Sequence, residues 1–235
     1  MACDLIELLK SKPYPGRGIV IGKSADGDKT YVLYFIMGRS ENSRNRIFTE
    51  TEDGIKTEAF DPAKLSDPSL IIYHPVRFYN GAMIVTNGDQ TDTIWEGLKT
   101  GSDFRASLNT REFEPDKPNY TPRISGIVDA DGSYKLSILK SFEGDPACCC
   151  RYYFEYDKPV AGFGHFISTY RGDGDPIPSF PGEPVVVNIT GEIEDFVKEV
   201  WTALNCDNKV SLYACEFTNG ANNVRQFIYN KNQGE

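Results

Sequence analysis

An arginine-rich segment carries the clearest signal for chemistry in this sequence. Residues 38–46 read Gly-Arg-Ser-Glu-Asn-Ser-Arg-Asn-Arg, with three arginines, two serines and two asparagines. These side chains are mostly hydrogen-bond donors, and a guanidinium group can pair a phosphate or carboxylate through two bonds. The segment follows an apolar run, so we expect a loop after a strand. It either binds a small anion or is a solvated loop that pairs with surface carboxylates, and composition alone slightly favours the solvated loop.

A second polar segment, residues 86–93, reads Thr-Asn-Gly-Asp-Gln-Thr-Asp-Thr. It lies where a predicted strand ends, Gly88 permits a tight turn, and a helix begins. Free backbone N–H groups at such a helix start favour anions. Alternatively, Asp89 and Asp92 cap the helix. No lysine follows the glycine, which excludes a Walker loop.

Two further segments could present reactive groups. Residues 111–123 contain three prolines and mixed charges, so they predict a loop that presents a carboxylate, a phenol and an arginine together. A plain surface loop is an equally good interpretation. His165 lies in a glycine-flanked strand at 162–170, and a lone histidine is more often structural than catalytic. The sequence contains no Gly-x-Ser-x-Gly motif, so a catalytic triad is unsupported.

Secondary-structure elements must position these segments. Most of the predicted elements are strands, because apolar residues alternate along much of the sequence. Strands are predicted at 18–22, 30–37, 76–79, 82–86, 124–128, 134–139, 152–156, 164–170, 185–189, 210–217 and 224–229. Four pairs of them flank hairpin signals, at 25–28, Asn80-Gly81, Asp131-Gly132 and Asn219-Gly220. Such hairpins indicate a largely antiparallel protein.

Helices are predicted at 4–10, 89–99, 103–108 and 192–204. The last has an apolar stripe at helical spacing, with Thr190 as a candidate cap. Several hairpins with a few separate helices indicate the α+β class. The proline- and glycine-rich residues 172–184 predict a long loop. We expect one domain over residues 1–235.

Composition narrows the functional classes. The 235 residues include 25 basic and 34 acidic side chains, a formal net charge of −9. An acidic chain is a poor partner for nucleic acids or anionic membranes, although a local arginine cluster can still bind a small anion. We find no transmembrane run and no secretory signal at the N-terminus, so we expect a cytoplasmic protein.

The six cysteines match no zinc-binding pattern, and three of them are adjacent, at 148–150. Neighbouring cysteines in a strand point to opposite faces and cannot easily pair with each other. We therefore expect reduced thiols and neither a metal nor a disulfide site.

Several short segments, taken in order, resemble the archaeal-type IMP cyclohydrolases and their bacterial relatives. They are Tyr14-Pro15-Gly16-Arg17, Arg39-Ser40 with Asn45-Arg46, Tyr73 with Arg77, Asn87-Gly88 with Thr91-Asp92-Thr93, Thr121-Pro122-Arg123, and Ile167-Ser168-Thr169-Tyr170. The set resembles the bacterial branch of this family more closely, because the arginine-rich loop of that branch is longer than in the archaeal enzymes. The matches span residues 14–170; the first 12 residues and the last 50 or so carry no usable motif of this family.

The resemblance implies a four-layer αββα sandwich like that of the N-terminal-nucleophile hydrolases, without their nucleophile. It implies closure of a formylated imidazole carboxamide ribotide to inosine monophosphate, with no cofactor and no metal, and it is compatible with homo-oligomers. By the same resemblance, Tyr73 and Glu114 are the predicted proton-transfer residues, and Arg46 polarises the substrate or neutralises its charge. The predicted substrate contacts are Arg39, Ser40, Asn45, Asn87, Asp89, Thr91, Asp92, Tyr120 and Arg123. Tyr120 lies in a one-residue insertion relative to the archaeal pattern, and Tyr73 could instead be a core aromatic residue.

Two other hypotheses stay open at this point. A relative could bind a purine nucleotide without closing the ring, since a fold does not fix a function. A true N-terminal-nucleophile amidohydrolase would need Cys3 exposed by processing. Cys3 precedes a helix-like segment, whereas such a nucleophile heads a strand, so the sequence disfavours this third hypothesis.

Overall fold

A computed structural model describes residues 2–65, 68, 70–218 and 222–234. Its helices are α1 (Leu5–Lys10), α2 (Glu41–Arg44), α3 (Gln90–Lys99), α4 (Phe104–Leu108) and α5 (Ile193–Ala203), with 3-10 turns at Pro62–Lys64 and Lys231–Gln233. The strands are β1 (Arg17–Lys23), β2 (Thr30–Met37), β3 (Arg46–Thr51), β4 (Gly54–Ala59), β5 (Val76–Tyr79), β6 (Ala82–Thr86), β7 (Arg123–Val128), β8 (Tyr134–Phe142), β9 (Asp145–Tyr156), β10 (Phe163–Ser168), β11 (Val185–Asn188), β12 (Lys209–Thr218) and β13 (Asn222–Asn230).

The strands form two sheets. Sheet A has six strands in the order β11-β10-β1-β2-β12-β13, and sheet B has seven in the order β3-β4-β5-β6-β7-β8-β9. Neighbouring strands pair antiparallel in both sheets; β1, for example, sets Gly18 opposite Phe35 of β2 and Ser168 of β10. The α+β class with mostly antiparallel sheets is confirmed.

Three apolar clusters hold the elements together. The first joins α1 and α5 to one face of sheet A, with Leu5, Leu33 and Trp201 among its members. The second contains residues of both sheets, including Tyr34 and Val85. The third joins α3 and α4 to sheet B. Both helix pairs bury apolar faces against sheets, which is where most of their stability arises.

The hairpins predicted at 25–28, Asn80-Gly81 and Asp131-Gly132 are confirmed, because each connects two paired strands. The fourth signal, Asn219-Gly220, lies outside the described residues, although β12 and β13 pair as predicted. Apart from β9, which begins earlier than expected, the predicted strands match the observed ones to within a few residues.

Three details of the prediction were wrong. Residues 38–46 are not only loop, since they include α2, and Arg46 begins β3. The β3–β4 hairpin was not predicted because its strands are rich in Thr, Glu and Lys and lack a clear apolar alternation. Thr190 does not cap the last helix; Glu192 occupies that position without a side-chain hydrogen bond.

Cys3 precedes α1, as the sequence indicates, and its backbone bonds to β11 rather than heading a strand of its own. All six cysteines are free thiols. Among the described residues, no helix has both the length and the apolar character needed to span a membrane.

Candidate active site

A buried ion pair lies at the centre of the site. Arg17 is the first residue of β1, and its Nη2 atom donates to both carboxylate oxygens of Glu114 at 3.1 Å. The Nδ2 atom of Asn87 lies 3.3 Å from the same carboxylate. Burial raises the pKa of Glu114, and the guanidinium of Arg17 offsets only part of that effect. A carboxyl group in this environment is suited to accept or donate a proton.

The loop before β7 fixes Glu114 through its own hydrogen bonds. The Glu114 amide donates to the Thr121 carbonyl oxygen at 2.8 Å, and the Thr121 amide donates to Asp116 Oδ1 at 2.6 Å. The Thr121 hydroxyl lies 2.5 Å from the hydroxyl of Tyr170, which follows β10. These bonds close the loop and connect it to sheet A.

Tyr73 reaches the same region from sheet B. Its amide donates to the Thr57 hydroxyl at 2.9 Å, and its carbonyl oxygen accepts the Thr57 amide at 2.9 Å, so its backbone lies along β4. Its side chain is 5% exposed, and its hydroxyl oxygen lies 2.8 Å from that of Tyr34 on β2. Arg17 interacts electrostatically with both tyrosines and with Glu114.

Arg46 is a buried cation that has no counterion among the described residues. It is 2% exposed, and its Nε atom donates to the Ser43 carbonyl oxygen at 2.8 Å. Its Nη1 atom is buried without a hydrogen-bond partner, and among the described residues no carboxylate lies within ion-pair distance. It interacts electrostatically with Tyr73 and Arg17. A buried, unpaired cation is costly, so this arrangement fits an anionic or strongly polar ligand.

A second group of charges surrounds the start of α3. Asp89 Oδ1 accepts from Arg123 Nη1 at 2.7 Å and from Arg111 Nη2 at 2.5 Å. Burial acts to raise the pKa of Asp89, but the two arginines lower it below its usual value. Two cations face one carboxylate, which leaves a net positive charge beside a helix N-terminus. Arg123 also donates to Gln90 Oε1 at 2.7 Å.

Arg39 contacts the long loop at 172–184. Its Nη1 atom donates to Asp173 at 2.6 Å and to the Gly174 carbonyl oxygen at 3.0 Å. Its guanidinium lies 5.1 Å from the ring centre of Tyr14, and the Tyr14 ring stacks on Tyr170. The half-exposed Arg39 therefore lies at the edge of the buried centre.

Two predicted substrate contacts in the arginine-rich segment have structural partners. The Ser40 side chain caps α2 and bonds reciprocally with Ser43. Asn45 bonds to both backbone groups of Asp61, donating at 2.8 Å and accepting at 2.8 Å. Both side chains shape the segment that holds Arg46.

The predicted substrate contacts near α3 also form hydrogen bonds with other residues of the protein. Asn87 Oδ1 accepts the Ile124 amide at 2.8 Å, and the Thr91 hydroxyl lies 2.7 Å from that of Thr86. Asp92 accepts from Arg77 at 3.0 Å. Asp89 stands at the N-cap position of α3 but forms no side-chain cap bond, so the capping interpretation is wrong for this residue.

Tyr120 lies at the rim of the Glu114 loop. It has a φ of 44°, and its ring packs edge-on against Phe113 with centroids 5.6 Å apart. Its role as a substrate contact stays a prediction, as do those of the other site residues.

Sequence reasoning missed three residues of this region. Arg17 was named only as part of the Tyr-Pro-Gly-Arg motif and not as a site residue. Its position directly after Pro-Gly was the one sequence signal that could have identified it. Tyr34 is indistinguishable by pattern from the apolar strand around it. Arg111 is separated from Asp89 along the chain, and only the fold brings them together.

Within the described part of the chain, no three His, Cys, Asp or Glu side chains form a group that could hold a metal ion. The chemistry assembled here consists of two guanidinium groups, a carboxyl group and two phenols, all buried. Such groups suit proton transfer and charge stabilisation on a polar substrate.

Comparisons with known proteins identify the family of this chain. Residues 14–221 match the family described as IMP cyclohydrolase-like protein. The IMP cyclohydrolase of Methanopyrus kandleri is 30% identical over 208 residues, which cover 86% of this chain and 91% of that protein. Those of Methanococcus aeolicus and Methanocaldococcus jannaschii are 32% and 30% identical, over 52% of this chain and 61% and 59% of their own lengths.

The family match extends beyond the motifs at 14–170 and takes in β11, α5 and β12. The segments that carry Arg17, Arg46, Tyr73, Asp89, Glu114 and Arg123 all lie within it. The chain therefore belongs to the IMP cyclohydrolase-like protein family.

Proposed function

We propose that this protein is an IMP cyclohydrolase acting in the ring-closing direction of purine biosynthesis. Its substrate is 5-formamidoimidazole-4-carboxamide ribotide and its product is inosine monophosphate. Membership in the family and a relative named IMP cyclohydrolase, matched over 91% of its length, support the reaction. The role of the site is inferred from the buried guanidinium of Arg46. Its Nη1 atom has no hydrogen-bond partner among the described residues, and the group interacts electrostatically with Tyr73.

Ring closure joins two groups of one molecule. The carboxamide nitrogen attacks the formyl carbon and loses a proton, and the formyl oxygen becomes a hydroxyl. That hydroxyl leaves as water together with the hydrogen of the formamido nitrogen, which forms the new C=N bond. The enzyme must hold the two groups together, move protons and stabilise negative charge on the formyl oxygen.

Each task has a residue in the site. Glu114, with its pKa raised by burial, takes the proton from the carboxamide nitrogen. Tyr73 donates to the formyl oxygen, and Arg46 stabilises the charge that develops there. Arg17 holds the Glu114 carboxylate through two hydrogen bonds and interacts electrostatically with Tyr73.

The ribotide phosphate needs a cationic anchor outside this centre. Arg123 and Arg111, beside the start of α3, supply one through their shared partner Asp89, and the half-exposed Arg39 supplies a further cation at the edge of the centre. The remaining proposed substrate contacts are Ser40, Asn45, Asn87, Thr91, Asp92 and Tyr120. Several of these act by shaping the site, since their side chains bond to the protein.

The proposal extends to the architecture. The three apolar clusters support a four-layer αββα sandwich of the N-terminal-nucleophile hydrolase type, with α1 and α5 outside sheet A and α3 and α4 outside sheet B. The proposal also includes a single domain over residues 1–235 and the assembly of this domain into a homo-oligomer. Six free thiols are compatible with the reducing cytoplasm as its compartment.

Chromatographic identification of the product tests the function. Protein dialysed against a chelator is incubated with the formylated ribotide, and inosine monophosphate is quantified against a protein-free blank. We expect conversion in proportion to protein concentration. Calorimetric binding of inosine monophosphate without any conversion would identify a purine-nucleotide-binding relative and contradict the proposal.

A further inference from the structure

Tyr34 is a core tyrosine whose hydroxyl group faces the site. It lies in β2 near the middle of sheet A, opposite Ile19 of β1 and Tyr213 of β12. Its side chain is completely buried, and its ring stacks on Phe48 with centroids 5.7 Å apart. Packing on both sheets therefore fixes the position of its hydroxyl oxygen.

The hydrogen of that hydroxyl has one suitable acceptor among the described residues. The Tyr73 oxygen lies 2.8 Å away. The charged groups that act on Tyr34, Arg17 and Arg46, are arginines, which donate hydrogen bonds and cannot accept them. Burial raises the pKa of Tyr34 well above its usual value, so the hydroxyl keeps its hydrogen at any working pH.

We propose that Tyr34 is a positioning residue for Tyr73: it donates to the Tyr73 oxygen and leaves the Tyr73 hydrogen directed at the substrate. The inference rests on the proposed function. A tyrosine hydroxyl has a single hydrogen, so a hydrogen bond from Tyr73 to Tyr34 would withdraw the proton that the formyl oxygen needs. Since Tyr34 offers its own hydrogen to Tyr73, that competing orientation is disfavoured.

A double-mutant cycle tests this relation. Tyr34→Phe removes one hydroxyl and keeps the stacked ring, and we expect kcat to fall about tenfold, the size of one neutral hydrogen bond, with KM within about twofold. Tyr73→Phe removes the proton donor, and we expect kcat to fall by about 10²-fold or more. If Tyr34 acts only through Tyr73, the double variant is no slower than Tyr73→Phe alone. Single turnovers at enzyme excess give the rates of the slow variants.

Tyr213→Phe is the matched control. It changes a buried tyrosine of the same core whose hydroxyl donates to Gln226 at 2.7 Å, away from Tyr73. We expect its kcat to equal that of the wild type. Thermal midpoints of all variants show whether each one folds.

Two outcomes would overturn the inference while leaving the function intact. They are an unchanged kcat in Tyr34→Phe, and losses that multiply independently in the double variant. Absence of inosine monophosphate with the wild-type protein contradicts the proposed function itself, before any variant is compared.

Discussion

At the scale of single residues, two buried arginines differ in how their charge is compensated. Arg17 donates twice to Glu114, whereas Arg46 donates to one carbonyl oxygen and leaves Nη1 without a partner. A buried charge without a counterion lowers the stability of the free protein and favours a ligand that supplies the missing partner. The family resemblance predicts a role for Arg46 from the sequence, but only the structure shows that it is unpaired.

The first prediction follows from this difference. Arg46→Met keeps much of the side-chain volume and removes the unpaired charge, so we expect the thermal midpoint to stay the same or rise. Affinity for inosine monophosphate should fall about 10–100-fold, the range for losing a hydrogen bond to a charged group. Calorimetry measures both quantities. A large loss of stability with unchanged affinity would contradict this account of Arg46.

The second prediction concerns pH. Burial raises the pKa of Glu114, so a base at this position is protonated, and inactive, at a pH where an exposed glutamate is still ionised. We expect kcat to fall as the pH falls, with the acidic limb above pH 4.5, the ordinary value for a glutamate. Glu114→Gln should lose about 10²–10⁴-fold in kcat, and the acidic limb should vanish from the residual activity. A limb that survives in Glu114→Gln would assign the base to another group.

At the scale of secondary-structure elements, a tight turn at Gly16 positions Arg17 in the site. Gly16 has a φ of 76° and directly precedes Arg17; a Cβ there would lie 2.2 Å from the Thr169 hydroxyl oxygen and 2.5 Å from the Tyr170 ring. Only glycine allows β1 to start this close to β10 and aim Arg17 at Glu114. The Tyr-Pro-Gly-Arg motif is visible in the sequence, but its tight packing against Thr169 is a property of the fold.

The third prediction uses a matched pair of glycines. Gly162 has a φ of 77° but open space around its added Cβ. Gly162→Ala should cost about 1–2 kcal/mol, the price of a left-handed backbone for a residue with a side chain. Gly16→Ala should cost clearly more, because its Cβ also collides with the side chains of Thr169 and Tyr170. Denaturant unfolding measures both, and equal losses would show that the collision has no effect.

The elements themselves were largely predictable. Hairpin turns and period-two alternation marked most strands, and the apolar stripe marked α5. The β3–β4 hairpin was missed because Thr49, Glu50 and Lys56 interrupt the apolar pattern. The family resemblance also predicted substrate contacts at Ser40 and Asn45. In the structure Ser40 bonds locally with Ser43 in the cap of α2, whereas the partner of Asn45, Asp61, is set by the tertiary structure.

At the scale of the whole molecule, the centre and the edge of the fold differ in burial. Strands β2 and β12 lie inside sheet A, and their side chains are almost all buried. Strand β9 ends the order of sheet B, pairs with β8 alone among the described strands, and is largely exposed. Three arginines of the site, Arg17, Arg46 and Arg123, are buried in a chain whose formal net charge is −9.

The fourth prediction follows from that contrast. Amide hydrogen exchange should be slowest in peptides from β2 and β12 and much faster in peptides from β9. Mass spectrometry of deuterated peptides measures this directly. Protection of β9 equal to that of β2 would mean that another chain covers the edge of sheet B, and dilution of the protein would then restore fast exchange.

If the buried guanidinium of Arg46 stabilises the charge that develops during ring closure, its removal must slow the formation of inosine monophosphate, and an ultraviolet assay measures that rate. Initial rates of inosine monophosphate formation are compared for the metal-free wild type, Arg46→Met and the control Arg225→Met, which changes an exposed arginine paired with Glu194. We expect conversion by the wild type and the control, and a loss of about 10²-fold or more in kcat/KM for Arg46→Met. A wild-type trace as flat as the blank, or an Arg46→Met rate equal to that of the control, would contradict it.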